Sequence, residues 1–202
     1  MFNDKYFNGE IMMKYKDIVN TNVIVKNIMK NCIKNGYRVL DCTVGNGNDT
    51  VILAELVGES GKVYGFDIQD IALERTKEKL IGFNLYDRVN LIKDSHENII
   101  KYISEGLDFI IYNLGYLPRG DKSIKTNETS TIKSLKQALK LINKNGLILL
   151  TVYTGHEGGN SEKDAIESLL ISLNQKEFNA LKFDFINQIN NPPMLYAIEK
   201  SN

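Results

Sequence analysis

Five short apolar runs alternate with segments of helical period, and then two β-like runs follow each other with no helix between them. The first five are 37-YRVLDC-42, 62-KVYGFD-67, 88-RVNLIK-93, 107-LDFIIYN-113 and 145-NGLILLTVY-153, each bounded by Gly, Asn or Asp, as strands buried on both faces should be. Between them, 70-DIALERTKEKLIGF-83 sets Ile71, Leu73, Leu80 and Ile81 on an apolar side against Glu74, Lys77 and Glu78, and Gly82 is expected to end the helix. The segment 128–146 repeats the pattern with Ile132, Leu135, Leu139 and Ile142, stopping before Gly146. Such alternation predicts a doubly wound parallel sheet. After a helix over 160–175, the runs 178-FNALKFDFIN-187 and 194-MLYAIEK-200 are joined by only 188-QINNPP-193, which is too short for anything but antiparallel pairing. The expected architecture is α/β and Rossmann-like, a mostly parallel seven-stranded sheet with a C-terminal antiparallel hairpin. It forms one domain over residues 1–202, with residues 1–35 as a helical N-terminal extension.

Charge and cysteine content narrow the function classes. Lys and Arg number 25, as do Asp and Glu, so an anionic partner has to be met by a local patch rather than by the net charge. Cys32 and Cys42 have neither metal-ligand spacing nor a disulfide framework and are expected as thiols. The N-terminal 16 residues lack the basic-then-apolar order of a signal peptide, and no apolar stretch approaches the roughly 20 residues of a membrane span. A soluble, cytoplasmic protein without membrane association is expected, and no cluster suggests a bound metal.

The stretch 39-VLDCTVGNGNDT-50 leaves a strand, turns through Gly45 and Gly47 and enters a helix. A dinucleotide fingerprint would want a small residue where Thr50 stands, and Asp41 and Asp49 put negative charge where a pyrophosphate would sit. Acids suit a sulfonium and an ammonium better. Asp67 ends the second strand where a carboxylate accepts from both ribose hydroxyls, and Asp94 follows the third where one accepts from the adenine amine, with Ser95 placed to cap the next helix. Three such loops at the carboxyl ends of successive strands converge on one crevice. The ligand they suit is S-adenosylmethionine, and the sheet with its antiparallel end points to a class I methyltransferase.

At the end of the fourth strand, 113-NLGY-116 has the form of the Asn/Asp-Pro-Pro-Tyr turn of amino methyltransferases, departing from it at Leu114 and Gly115. Methyl transfer from a sulfonium is an in-line displacement, so the attacking nitrogen must aim its lone pair. The Asn113 side-chain oxygen and the Leu114 carbonyl would take the amine hydrogens, and Tyr116 would stack on a planar base. His156, after the fifth strand, is placed either to relay the amine proton or simply to hold a backbone carbonyl.

The stretches 41-DCTVGNGNDT-50, 63-VYGFDIQ-69, 94-DSHE-97, 113-NLGYLPRGDKSIKT-126, 153-YTGHEGG-159 and 187-NQINNPPMLYAIEK-200, in this order, resemble the YtqB group, also called MnmM and labelled as rRNA methylases. The resemblance implies a class I fold, S-adenosylmethionine converted to S-adenosylhomocysteine, and methylation of the 5-aminomethyl group of wobble (2-thio)uridine in tRNA. It matches Gly45, Asn46, Gly47, Asp49, Asp67, Gln69, Ser95 and His96 to positions around the cofactor; with the loops read above, the expected cofactor contacts also take in Asp41, Thr43, Asn48, Ile68, Asp94, Asn113 and Leu114. Asn113 and Tyr116 match its amine-binding turn, and Leu114 and Gly115 between them are expected on the substrate side. Arg119 stands where the family has Gly, and Glu157 where Pro often follows His.

An RNA partner needs a basic surface. The segment 119–140 carries Arg119, Lys122, Lys125, Lys133, Lys136 and Lys140 against Asp121 and Glu128, so Arg119, Lys122 and Lys125 are candidate phosphate contacts for a tRNA anticodon stem-loop. A second basic run occupies 14–38. A single small subunit offers little area for an anticodon arm, so a homodimer is expected. Methylation of rRNA, of a small amine or of a protein side chain satisfies the same turn chemistry. An RNA-binding module without catalysis and a nicotinamide dehydrogenase are the readings from other classes.

Overall fold

The computed structural model describes residues 18–115, 117, 125–155, 157–189 and 191–202. Its strands are β1 (Arg38–Asp41), β2 (Lys62–Asp67), β3 (Val89–Lys93), β4 (Leu107–Leu114), β5 (Ile142–Val152), β6 (Phe178–Phe183) and β7 (Met194–Lys200). They form one sheet of order β3-β2-β1-β4-β5-β7-β6. The first five are parallel, while β7 runs antiparallel to β5 and β6 antiparallel to β7. The order reverses between β1 and β4, and the carboxyl ends of those two strands open the crevice in which such sheets bind ligands.

Helices α1 (Thr21–Cys32), α2 (Asn48–Val57) and α3 (Asp70–Gly82) cover one face. Helices α4 (Glu128–Leu141) and α5 (Gly159–Ile171), with a kinked 3-10 helix over His96–Lys101, cover the other. Strand alternation sorts the two cores. Val39, Val63, Phe109 and Ile111 pack with Val25, Met29, Leu53 and Leu80, whereas Leu40, Phe66, Ile110 and Tyr112 pack with Leu135, Ala138 and Ile166. The described part of the N-terminal segment, residues 18–35, is therefore integrated into the core rather than set apart. Its helix is capped by the Asn20 side chain on the Val23 N–H and buries Val25 and Met29 one turn apart, each contributing roughly 2 kcal/mol.

Three local expectations are corrected. Helix α3 does end at Gly82, but the left-handed residue that closes it is Asn84, whose φ of 56° is followed by Leu85 N–H bonding Leu80 O at 2.8 Å and preceded by the turn Asn84 N–H to Ile81 O at 3.0 Å. This is a Schellman end with its apolar contact, Leu80 against Leu85, both buried. Its buried stripe is Ala72, Thr76 and Leu80, while Ile71 and Ile81 are exposed. Helix α4 stops at Leu141, and Ile142 already pairs with Leu107 as the first residue of β5. The 142-INKNG-146 stretch that reads as a helix end is an irregularity inside the strand, with Asn145 at φ 60° and pairing resumed at Leu147 opposite Phe109. Strand β6 ends at Phe183 rather than 187.

Candidate active site

A cleft of about 700 Å³ opens at the carboxyl ends of β1, β2, β3, β4 and β5. Of the expected cofactor residues, Thr43, Gly45, Asn46, Asn48, Asp49, Asp67, Ile68, Gln69, Asp94, Ser95, His96, Asn113 and Leu114 line it, as do Gly115 and Lys125 from the expected acceptor side. Asp41 and Gly47 do not; they act from behind. Tyr116, Arg119, Lys122 and His156 lie outside the described residues.

Asp41 ends β1 on the face that α2 covers, where it is 1% exposed. It accepts from the Thr50 hydroxyl at 2.6 Å and from Thr43 N–H at 3.1 Å, tying the loop to the helix that follows it. Burial pushes its carboxyl up to about 7, against the pull of the Thr50 hydrogen bond. Gly47 caps α2 at φ 73°, and a Cβ there would stand 2.5 Å from the Thr76 hydroxyl oxygen, so only glycine lets α3 pass this close. Lys79 of α3 donates to Asn46 O at 2.6 Å and to Asn48 Oδ1 at 2.8 Å.

Asp67 accepts from Gly45 N–H and Gln69 N–H, both at 2.9 Å, so the Gly45 amide expected to meet a ligand is held by this acid instead. Burial raises the Asp67 pKa, opposed by those backbone donors. Asp94 braces its own loop, accepting from Ser95 N–H, Asn98 Nδ2 and the Tyr102 hydroxyl at 2.7, 2.9 and 2.9 Å. The Asn98 bond leads in lowering its pKa. Ser95 caps the 3-10 helix as expected, accepting from Glu97 N–H. His96 is 8% exposed and packs edge-on against Tyr112; its Nδ1 has no hydrogen-bond partner among the described residues, and burial pushes the imidazole down to about 4, so it is neutral at neutral pH.

At the end of β4, Asn113 N–H donates to Thr43 Oγ1 at 2.7 Å, and its Nδ2 donates to Asp49 Oδ2 at 2.8 Å. Because an ionised carboxylate only accepts, the NH2 end of the amide turns to Asp49 and leaves Oδ1 as the accepting end. Burial raises the Asp49 pKa, opposed by the Asn113 bond and the charge of Lys26. The Leu114 carbonyl, expected to take an amine hydrogen, already accepts from Tyr153 N–H at 3.3 Å because the pairing with the β5 side runs one residue past the strands. Lys125, expected on phosphate, donates to Glu157 O at 2.8 Å.

Residues that the sequence reading missed complete the wall: Asn22 and Lys26 from α1, Thr126, Asn127, Thr129 and Ser130 at the start of α4, Tyr153 after β5, and Asn191 before β7. Asn20 followed by Val25, Met29 and Ile33 at helical spacing was the available signal for α1. Nothing local marks Asn191, which Thr21 and the hairpin bring in through the 2.7 Å bond from Thr21 Oγ1 to Pro193 O.

Buried, mutually repelling carboxylates at one part of the cleft and an uncharged imidazole at another, its Nδ1 without a partner among the described residues, fit a cationic donor carrying a ribose diol and an adenine. Together with the strand order, they define a class I, S-adenosylmethionine-dependent methyltransferase. The chain belongs to the family described as "Putative rRNA methylase", whose model matches residues 63–199. It is 33% identical over 185 residues to the chloroplastic tRNA (mnm(5)s(2)U34)-methyltransferase of Arabidopsis thaliana, covering 87% of this chain and 68% of that protein. Among solved structures, a "putative rRNA-methylase" from Clostridium thermocellum matches at 46% identity and TM-score 0.87, over 90% of this chain and 97% of that one. A "putative methyltransferase" from Streptococcus mutans, in complex with SAH, matches at 37% and 0.80, over 88% and 96%. Among the described residues no group of three or more His, Cys, Asp or Glu is placed to hold a metal ion, and no helix is long and apolar enough to cross a membrane.

Proposed function

We propose that the protein methylates the 5-aminomethyl group of wobble (2-thio)uridine in tRNA, giving the methylaminomethyl nucleoside. The observation that carries this reading is the Asn113 amide, anchored by Asp49 at 2.8 Å with its oxygen left to accept from an amine at the mouth of the cofactor cleft. The Arabidopsis relative, named for a U34 methyltransferase, supports the same acceptor. S-adenosylmethionine supplies a methyl on a sulfonium: the amine lone pair forms the N–C bond as C–S breaks, sulfur becomes a neutral thioether and the product ammonium gives one proton to water.

The chain's own part is placement. Asp67 is sited for the ribose, and Asp94, His96 and Ile68 for the adenine. Asn113 holds an amine N–H so that the lone pair points along the attack line. Tyr116 and the basic residues Arg119 and Lys122 follow this turn in sequence and are assigned to the base and its flanking phosphates. A wobble base is unpaired in its loop, so binding requires little unstacking. A homodimer would supply the area an anticodon arm needs.

Nucleoside mass spectrometry of tRNA lacking this modification, incubated with the protein and labelled S-adenosylmethionine, tests the reading. Labelled methylaminomethyl-uridine with loss of its precursor is expected. Absence of label in tRNA, with cofactor binding demonstrated, overturns the acceptor and moves the search to rRNA or small amines.

A further inference from the structure

We propose that Asp49 is a positioning residue for the acceptor rather than a cofactor ligand: its carboxylate fixes the Asn113 amide with Oδ1 toward the incoming amine. This rests on the reading of Asn113 as the group that holds the amine. The glycine loop has its own braces, Asp41 through Thr50 and Thr43 and Asp67 through Gly45 and Gln69. The Asp49 bond leaves that loop and crosses to β4, reaching Asn113 Nδ2 at 2.8 Å, while Thr43 Oγ1 holds Asn113 N–H at 2.7 Å. Backbone and side chain of Asn113 are thus both fixed from the same loop.

Orientation decides whether the amide helps or hinders. An amide oxygen accepts an amine N–H and turns the nitrogen lone pair away from itself, toward the methyl. A flipped amide would present NH2, which donates to the same lone pair and competes with the attack. Asp49, in the first turn of α2, excludes the flip because an ionised carboxylate has no hydrogen to give. Burial raises the Asp49 pKa, while the Asn113 hydrogen bond and then the Lys26 ammonium of α1 oppose it and favour the ionised form.

The test is a swap. Asp49→Asn should lower kcat by about 30–100-fold with acceptor KM and cofactor Kd within about 3-fold, the size of effect expected when one oriented polar group is lost. Asn113→Asp alone sets two carboxylates against each other and should be more impaired. The double variant Asp49→Asn with Asn113→Asp restores one donor facing one carboxylate, should fold like the parent, and should regain at least about 10-fold in kcat over Asp49→Asn. No regain, an unchanged kcat in Asp49→Asn, or a loss of cofactor affinity that matches the loss of turnover would each overturn the proposal.

A second readout is independent of the acceptor. In the asparagine-15N-labelled full chain, the Asn113 side-chain amide signal, identified by its loss in Asn113→Asp, should move upfield in Asp49→Asn; a fixed signal overturns the hydrogen bond. Failure of wild-type enzyme to label tRNA would remove the tRNA acceptor while this signal still decides the role of Asp49.

Discussion

The two rims of the cleft are built in different ways. On the rim proposed for the cofactor each residue follows its strand directly: Thr43 to Asn48 after β1, Asp67 to Gln69 at the end of β2, Asp94 to His96 after β3. Most of the bonds among them are local or join adjacent loops, as Asp67 to Gly45 and Asp94 to Asn98 do. The rim proposed for the acceptor takes Asn22 and Lys26 from α1, Asn113 from β4, Tyr153 after β5 and Asn191 before β7, and is tied by a bond between Thr21 and Pro193, 172 positions apart. One rim is held by turns that form wherever the strands form. The other exists only when the whole sheet, hairpin included, has closed, so its substrate can change with the tertiary frame while the cofactor loops stay as they are.

The largest separation of the two should come from Gly47→Ala. An Ala at φ 73° with its Cβ 2.5–2.9 Å from three Thr76 atoms forces α2 and α3 apart, and a stability loss of about 3–4 kcal/mol is expected, with cofactor retention lost. Adding Thr76→Ala removes two of the three contacts and should recover part of both, as read by denaturant unfolding and calorimetric titration of cofactor. A Gly47→Ala protein of parental stability would show that the close approach of the helices is not what glycine serves.

Next in size is Asn113→Ala, which strikes the acceptor rim. Turnover should fall about 100-fold, roughly 2.7 kcal/mol in the barrier, with cofactor Kd changed less than about 3-fold. Parallel loss of cofactor binding would merge the rims into one unit and contradict their separation.

The same division explains what the sequence disclosed. Strand runs and the glycine turn are local patterns, so the sheet, its antiparallel end and the loops that line the cleft after β1, β2 and β3 were legible from residue types and spacing. The misread segments are those where tertiary pairing overrides local signal. The Asn-Gly at 145–146 reads as a helix stop followed by a strand start, yet β4 already claims Ile142 three residues earlier. Ile71 and Ile81 read as core, yet the sheet takes Ala72, Thr76 and Leu80, small enough for α3 to lie close beside the cofactor loop. Lys26 read as part of a basic surface because nothing in its own segment shows that α1 packs beside α2 and points it into the cleft.

The smallest effect sharpens the contrast by acid–base behaviour, because Asp41 and His96, both on the cofactor side, are buried groups that oppose each other. Asp41 titrates near 7 when folded against 3.8 as reference, so between those values the folded state holds a proton that the unfolded state has lost, and stability falls as pH rises. His96 titrates near 4 against 6.5, so between those values the folded state lacks a proton that the unfolded state holds, and stability rises with pH. From pH 4 to 6.5 the two slopes, each about 1.4 kcal/mol per pH unit at full strength, nearly cancel. Asp41→Asn should therefore tilt the profile so that stability gains with rising pH relative to wild type. His96→Phe, which keeps a ring against Tyr112 and removes the unpartnered nitrogen, should tilt it the other way. Asp49 and Asp67, whose pKa values are also raised by burial, repel Asp41, so relieving that repulsion in Asp41→Asn works in the same direction as the loss of the Asp41 titration itself. Urea unfolding at half-unit steps measures the slopes, and parallel profiles for the two variants would mean that neither group is held in the protonation state its burial dictates.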